Sequence, residues 1–137
     1  MERAFKREIA LLESVFEFVS SFADRHDLDE TAVFELDLAI EELFVNMVKY
    51  NPANSNRITV NLQMDPDRII ATVKDRGSVP FDPTKSRPYD TTTSLQERVP
   101  GGLGLHLVRS VMDDISYEYT DGESVVTLTK LLGKQHV

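Results

Sequence analysis

The sequence contains no cysteine. That excludes disulfide frameworks, thiolate zinc sites and cysteine nucleophiles. No apolar run approaches the ~18 residues of a membrane-spanning helix. The opening stretch, MERAFKREIALLESVFEFV, alternates charged with apolar residues and carries no signal-peptide core, so the expected location is the cytoplasm. Basic residues are scarce: 15 Lys and Arg stand against 23 Asp and Glu, a net charge of −8. Nucleic-acid binding rests on basic surface, so the shortage argues against it. It argues equally against docking on anionic membranes. There is no internal repeat, no low-complexity tract and no G-x-x-x-x-G-K-S/T, so the chain is not a P-loop protein. The three histidines, His26, His106 and His136, show no metal-ligand spacing.

What is present reads as one domain over residues 1–137, long enough to bury a core without metal or disulfide staples. Ile9, Leu12, Val15 (or Phe16), Val19 and Phe22 follow helical spacing and predict a helix from about Phe5 to Ala23. His26-Asp27-Leu28-Asp29 breaks it, and Asp29 or Thr31 can cap a second helix from about Glu30 to Tyr50. Leu36, Ile40, Leu43 and Met47 form its core stripe, and Asn51-Pro52 stops it. Strict alternation from Arg57 to Met64, a turn at Asp65-Pro66-Asp67, and Ile69 to Asp75 predict a hairpin. From Arg76 to Pro100 the pattern dissolves into a long loop, the kind that is usually functional or mobile. Leu103 to Met112 reads as a helix entered through Gly101-Gly102. Ile115 to Tyr119 and Val125 to Leu131 read as a second hairpin about Asp121-Gly122. Helices segregated from strands predict an α+β two-layer sandwich, with helices on one face of a mostly antiparallel sheet.

Three clusters can carry chemistry. Glu42 and Asn46 stand i, i+4 on the second helix and share a face. A carboxamide oxygen can ligate a hard cation while the carboxylate orients or deprotonates a nucleophile. Magnesium suits such a site because it takes few protein ligands. A solvated helix face is the plain alternative. Asp75 ends a strand ahead of Arg76-Gly77. Its carboxylate can accept a hydrogen bond from an exocyclic amine such as that of adenine, and Gly77 would let backbone approach a flat ring. A simple strand-to-loop turn explains the pair as well. Gly101-Gly102-Leu103-Gly104-Leu105 opens a helix, where free N–H groups and the helix dipole favour phosphate. Taken together, in this order, the clusters supply what Mg-ATP needs: a base contact, a metal ligand, a phosphate cradle and a covering loop.

Through these motifs the chain resembles the GHKL (Bergerat-fold) ATPases, and more narrowly the stand-alone anti-sigma-factor serine/threonine kinases of bacteria. The matching segments are EELFVN at Glu41–Asn46, DRGSVPFD at Asp75–Asp82, GGLGLHLVRSVMDD at Gly101–Asp114 and VVTLTKLL at Val125–Leu132. The resemblance implies an ATP site between helices and sheet. It implies Glu42 as general base, Asn46 on magnesium, Asp75 on adenine with Gly77 beside it, and the glycine segment on phosphate. Thr129 is implied at the adenine end. Lys85, Arg87 or Arg98 would steady phosphates from the loop. The implied activity is phosphorylation of a serine on a STAS-domain anti-anti-sigma protein, with sequestration of a sigma factor, by a homodimer. Family members usually open with a strand, which in this sequence is short or missing around Arg3–Arg7; their frequent histidine four residues after the asparagine is Tyr50 here. Competing readings are an ATP-binding partner-switching module without transfer, a histidine-kinase ATPase domain, and a structural α/β domain with incidental glycines.

The net charge is unevenly placed. Asp24 to Glu42 holds eight acids and one base, whereas the loop from Ser78 to Pro100 is balanced. The acidic stretch is a candidate docking face for a basic partner surface. Charge reversal at Asp27 and Glu30 is therefore expected to slow association with such a partner at low salt. Stopped-flow on-rates measure this, and an unchanged rate counts against the docking face.

Overall fold

A computed structural model describes residues 1–50, 54–77 and 102–133. The chain begins with strand β1 (Glu2–Phe5), followed by a 3-10 turn at Ile9–Leu11 and helix α1 (Leu12–His26). The helix expected from Phe5 thus starts seven residues later. The cause is long-range: Glu2 to Phe5 pair with Asn61 to Ile58, so their backbone groups belong to the sheet. Phe5 is buried and sits edge-on to Phe18 and Phe44, at ring separations of 5.8 and 6.4 Å. Ile9, expected in the core stripe, lies on the exposed turn instead.

α1 buries Val15, Phe18, Val19, Phe22 and Ala23. It ends at Asp27, whose φ of 57° is left-handed, and the Asp27 and Leu28 N–H groups both donate to the Ala23 carbonyl. This closes the orphaned carbonyls of the last turn. Helix α2 (Glu30–Tyr50) follows at once. Asp29 caps it, its Oδ1 accepting the Ala32 N–H at 2.8 Å. Leu36, Ile40, Leu43 and Met47 are buried as their spacing requires, joined by Ala39 and Phe44.

Strands β2 (Ile58–Asp65) and β3 (Arg68–Arg76) form the first hairpin; helix α3 (Gly102–Val111) and strands β4 (Asp114–Thr120) and β5 (Glu123–Leu131) complete the fold. The β4–β5 turn has positive φ at Asp121 (54°) and Gly122 (77°), the conformation that suits a two-residue hairpin. The sheet order is β1-β2-β3-β5-β4 and every pairing is antiparallel. One face buries Ile58, Val60, Leu62, Ile69, Ala71, Val73, Val126 and Leu128 in one core with the helices. Lys130 ties the layers together. Its Nζ meets Glu35 of α2 at 2.6 Å and donates to the Val111 carbonyl of α3 at 3.0 Å. The result is the two-layer α+β sandwich that the strand and helix order predicts. Among the described residues no helix is long and apolar enough to cross a membrane.

The cap of α2 carries a measurable load. Asp29→Ala removes the bond to Ala32 N–H and is expected to cost about 1 kcal/mol. A lower urea midpoint at unchanged m-value reads it out.

Candidate nucleotide site

The candidate site gathers at one end of the sheet. Along β3 the buried positions are Ile69, Ala71, Val73 and then Asp75. Alternation carries the carboxylate onto the same face as the core, at the strand's end. Burial lifts the Asp75 carboxyl above its ordinary value, and the Arg7 guanidinium partly opposes that lift. The pair is buried on both sides, with each side chain 4% exposed. Asp75 pairs in register with Ser124 of β5. Ser124 is itself buried and its Oγ lies 3.3 Å from the Tyr117 hydroxyl. A hydroxyl beside the carboxylate on the same face is a further polar handle at this end of the sheet.

Thr129, the residue expected at the adenine end, stands elsewhere. It pairs with Ile70 and Asp114, five residues beyond Ser124. That is about 17 Å along the strand. Ser124, Val126 and Leu128 point to the helices, so alternation turns Thr129 to the other face. Ser124, which the sequence reading does not single out, is the hydroxyl beside Asp75, and the β3–β5 register is what brings it there.

Gly77 follows with a φ of 75°, and a Cβ there would meet Asn56 Nδ2 at 2.6 Å. Its N–H donates to the Gly122 carbonyl at 2.6 Å. The fold alone therefore demands glycine at this position. Asn54 secures the same corner, donating to the Arg76 carbonyl at 2.8 Å.

Asn46 lies in the later turns of α2 and is buried. Its Nδ2 donates to the Glu42 carbonyl one turn earlier. The amide nitrogen is thereby committed, and Oδ1 is the atom suited to a hard cation. Met47, the next residue, accepts an N–H from Arg7 at 2.7 Å. One arginine thus joins the Asn46 turn of α2 to the Asp75 end of β3. Glu42 is half-buried. Burial first, and then the charge of Glu41, raise its carboxyl above the ordinary value, while Lys49 opposes them. Glu41 is itself half-buried and acts on its neighbours through this charge.

Gly102, Leu103, Gly104 and Leu105 form the first turn of α3, which packs on α2. The first N–H groups of a helix lack intrahelical acceptors, so this turn presents donors. Gly101 and the loop residues Asp82, Lys85, Arg87 and Arg98 lie outside the described residues. Among the described residues no three acidic or histidine side chains converge as a metal cluster. The residues fit Mg-ATP in part. Asn46 Oδ1 and the α3 turn suit a cation and phosphates, whereas both oxygens of the Asp75 carboxylate face a guanidinium.

Comparison with known proteins fits this arrangement. The model of the histidine kinase-like ATPase domain matches residues 5–130. The serine-protein kinase RsbW of Listeria monocytogenes is 32% identical over 124 residues, covering 87% of this chain and 78% of that protein. RsbW of Bacillus velezensis is 29% identical over 124 residues, covering 87% of this chain and 77% of its own. The crystal structure of the RsbU and RsbW domains of a Mycobacterium tuberculosis protein superposes with a TM-score of 0.69 at 18% identity, covering 96% of this chain and 32% of that one. The SiaB–SiaC complex of Pseudomonas aeruginosa contains a chain with TM-score 0.59 at 12% identity, covering 96% of this chain and 89% of that one.

A pH test follows from the acidic face of α2. Asp37, one turn before Glu41, has its carboxyl raised from 3.8 to about 6, by burial first and then by Glu41. Its folded value exceeds its unfolded value. The stability it contributes is full below about 3.8 and is lost as pH rises through about 6. Asp37→Asn keeps the neutral form at every pH. It is expected to raise the urea midpoint at pH 7.5 and to change little at pH 4. An equal shift at both pH values would contradict the assignment.

Proposed function

Since the chain belongs to the histidine kinase-like ATPase domain family and has serine-protein kinases among its relatives, we propose that it is an ATP-dependent serine kinase that acts on an anti-anti-sigma protein. The observation that supports this reading is the bridge by which Arg7 joins the Asp75 carboxylate to the Met47 carbonyl, next to buried Asn46 on the helix that also carries Glu42. Its substrate is a STAS-domain protein, and in its other state it sequesters a sigma factor as a homodimer.

Phosphoryl transfer asks mainly for positioning and charge neutralisation. ATP supplies the transferable phosphoryl group, and magnesium, when bound, would supply charge neutralisation at its oxygens. Asn46 Oδ1 would ligate the cation. The first turn of α3 would donate N–H groups to phosphate. Asp75 would accept from the adenine 6-amino group, with Ser124 beside it. Glu42 takes the proton of the substrate serine as its Oγ bonds to phosphorus and ADP leaves. A carboxyl raised by burial is a better base near neutral pH than an exposed one.

The test mixes the protein with Mg-ATP and a cognate STAS-domain protein and follows phosphoserine by mass spectrometry. Glu42→Ala is expected to lower transfer by about 10²–10⁴-fold while ATP affinity is largely retained. Asp75→Asn is expected to weaken ATP binding itself. Wild-type turnover in Glu42→Ala would refute the base assignment. Tight ATP binding without any transfer would instead identify a partner-switching module.

A further inference from the structure

Arg7 has no task in the scheme above, yet it is among the most fully engaged side chains of the site. Its Nη2 donates to Asp75 Oδ1, and its Nη1 reaches Asp75 Oδ2 at 3.5 Å. Nη1 also donates to the Met47 carbonyl at 2.7 Å, and Nε donates to the Asn56 carbonyl at 3.3 Å. One guanidinium therefore stitches the link after β1, the last turns of α2, the segment before β2 and the end of β3. Both oxygens of the carboxylate face it, and little of either group reaches solvent.

An ionised donor bonds a carboxylate more strongly than a neutral amine does. With Arg7 seated, the adenine amino group meets a carboxylate already satisfied by a stronger partner. The segment bearing Arg7 is built to yield. Lys6, Glu8, Ile9 and Ala10 are exposed, and of the 3-10 turn only Leu11 packs, half-buried, against the core. Three local backbone bonds shape it, Glu8 N–H to the Lys6 carbonyl at 2.8 Å, Leu11 N–H to the Glu8 carbonyl at 3.0 Å and Leu12 N–H to the Ile9 carbonyl. On either side the chain is fixed, by Phe5 in the sheet and core and by Val15 in α1.

We propose that Arg7 sets the nucleotide affinity of this site by competing with adenine for Asp75, and that adenine engages the carboxylate only when Arg7 withdraws with the Lys6–Ala10 segment. The inference rests on the reading of Asp75 as the adenine partner. The rival account is that Arg7 stays in place and merely orients Asp75. The two differ in sign. Removing a competitor tightens binding, whereas removing an orienting group weakens it.

The test titrates Mg-ADP calorimetrically into wild type, Arg7→Ala, Asp75→Asn and the double variant. Competition predicts that Arg7→Ala binds Mg-ADP at least tenfold more tightly, and that adding Asp75→Asn abolishes the gain. Equal or weaker binding by Arg7→Ala, with Asp75→Asn still impaired, overturns the competition and leaves the adenine reading standing. Unchanged affinity on Asp75→Asn in both backgrounds overturns the adenine reading, and the competition with it. Arg7→Ala leaves a buried carboxylate without its cation and stands to lose stability, so a measurement on the wild-type chain accompanies it. Amide hydrogen exchange at Glu8 and Leu11 is expected to accelerate on saturation with Mg-ADP. Unchanged or slower exchange there overturns the proposal even where the variant fails to fold.

Discussion

A strand that buries every second residue cannot choose what the next such position holds. On β3 the buried series runs Ile69, Ala71, Val73 and arrives at Asp75. An isolated carboxylate removed from water is too costly to keep ionised without a partner. Arg7 supplies the cation, and it comes from the far N-terminal side of the chain. To reach Asp75 it must emerge from a strand at a defined height beside β2, which is what the pairing of Phe5 with Ile58 provides. The pairing of the first strand with β2, which delays the start of α1, is thus also what brings Arg7 to this contact.

The remaining parts of the site are held by elements that the core fixes for its own reasons. Asn46 sits between Leu43 and Met47, which are both buried, so its place on α2 is determined by packing. Gly77 is required by its backbone angle and by Asn56, whatever ligand lies near it. Helix α3 packs on α2, and Lys130 holds the Val111 carbonyl at its last turn. A site assembled from rigid elements keeps its geometry without a ligand, which suits chemistry that depends on positioning.

Much of this was legible in the sequence, for local reasons. α2 shows its stripe, its cap and its bounds in one continuous stretch. Both hairpins announce themselves through alternation and turn residues. Glu42, Asn46 and Asp75 stand out because polar groups at those places break the surrounding pattern. What was hidden depends on distant pairing. The helix is read as starting near Phe5, and the opening strand as short or missing, because nothing nearby reveals that residues 58–61 will claim the backbone of Glu2 to Phe5. Thr129 is implied by the family resemblance, and only the register with β3 shows that Ser124 is the hydroxyl beside Asp75. Arg7 was unreadable, since a lone arginine in a charged stretch gives no sign that its partner lies 68 positions away.

The register of the central strands has a consequence for how this chain tolerates change. Ile58, Asp75 and Ser124 lie opposite one another across three strands. A slip of one position on β3 would turn its whole apolar series outward and Asp75 with it. The same error would strand Arg7 and separate Ser124 from its neighbour. Misassembly and loss of the site are therefore one event. A one-residue insertion at the Pro66-Asp67 turn that the loop absorbs is silent. One that is transmitted into the strand destroys the fold along with the site, so no stable misregistered form survives to compete for the same partners.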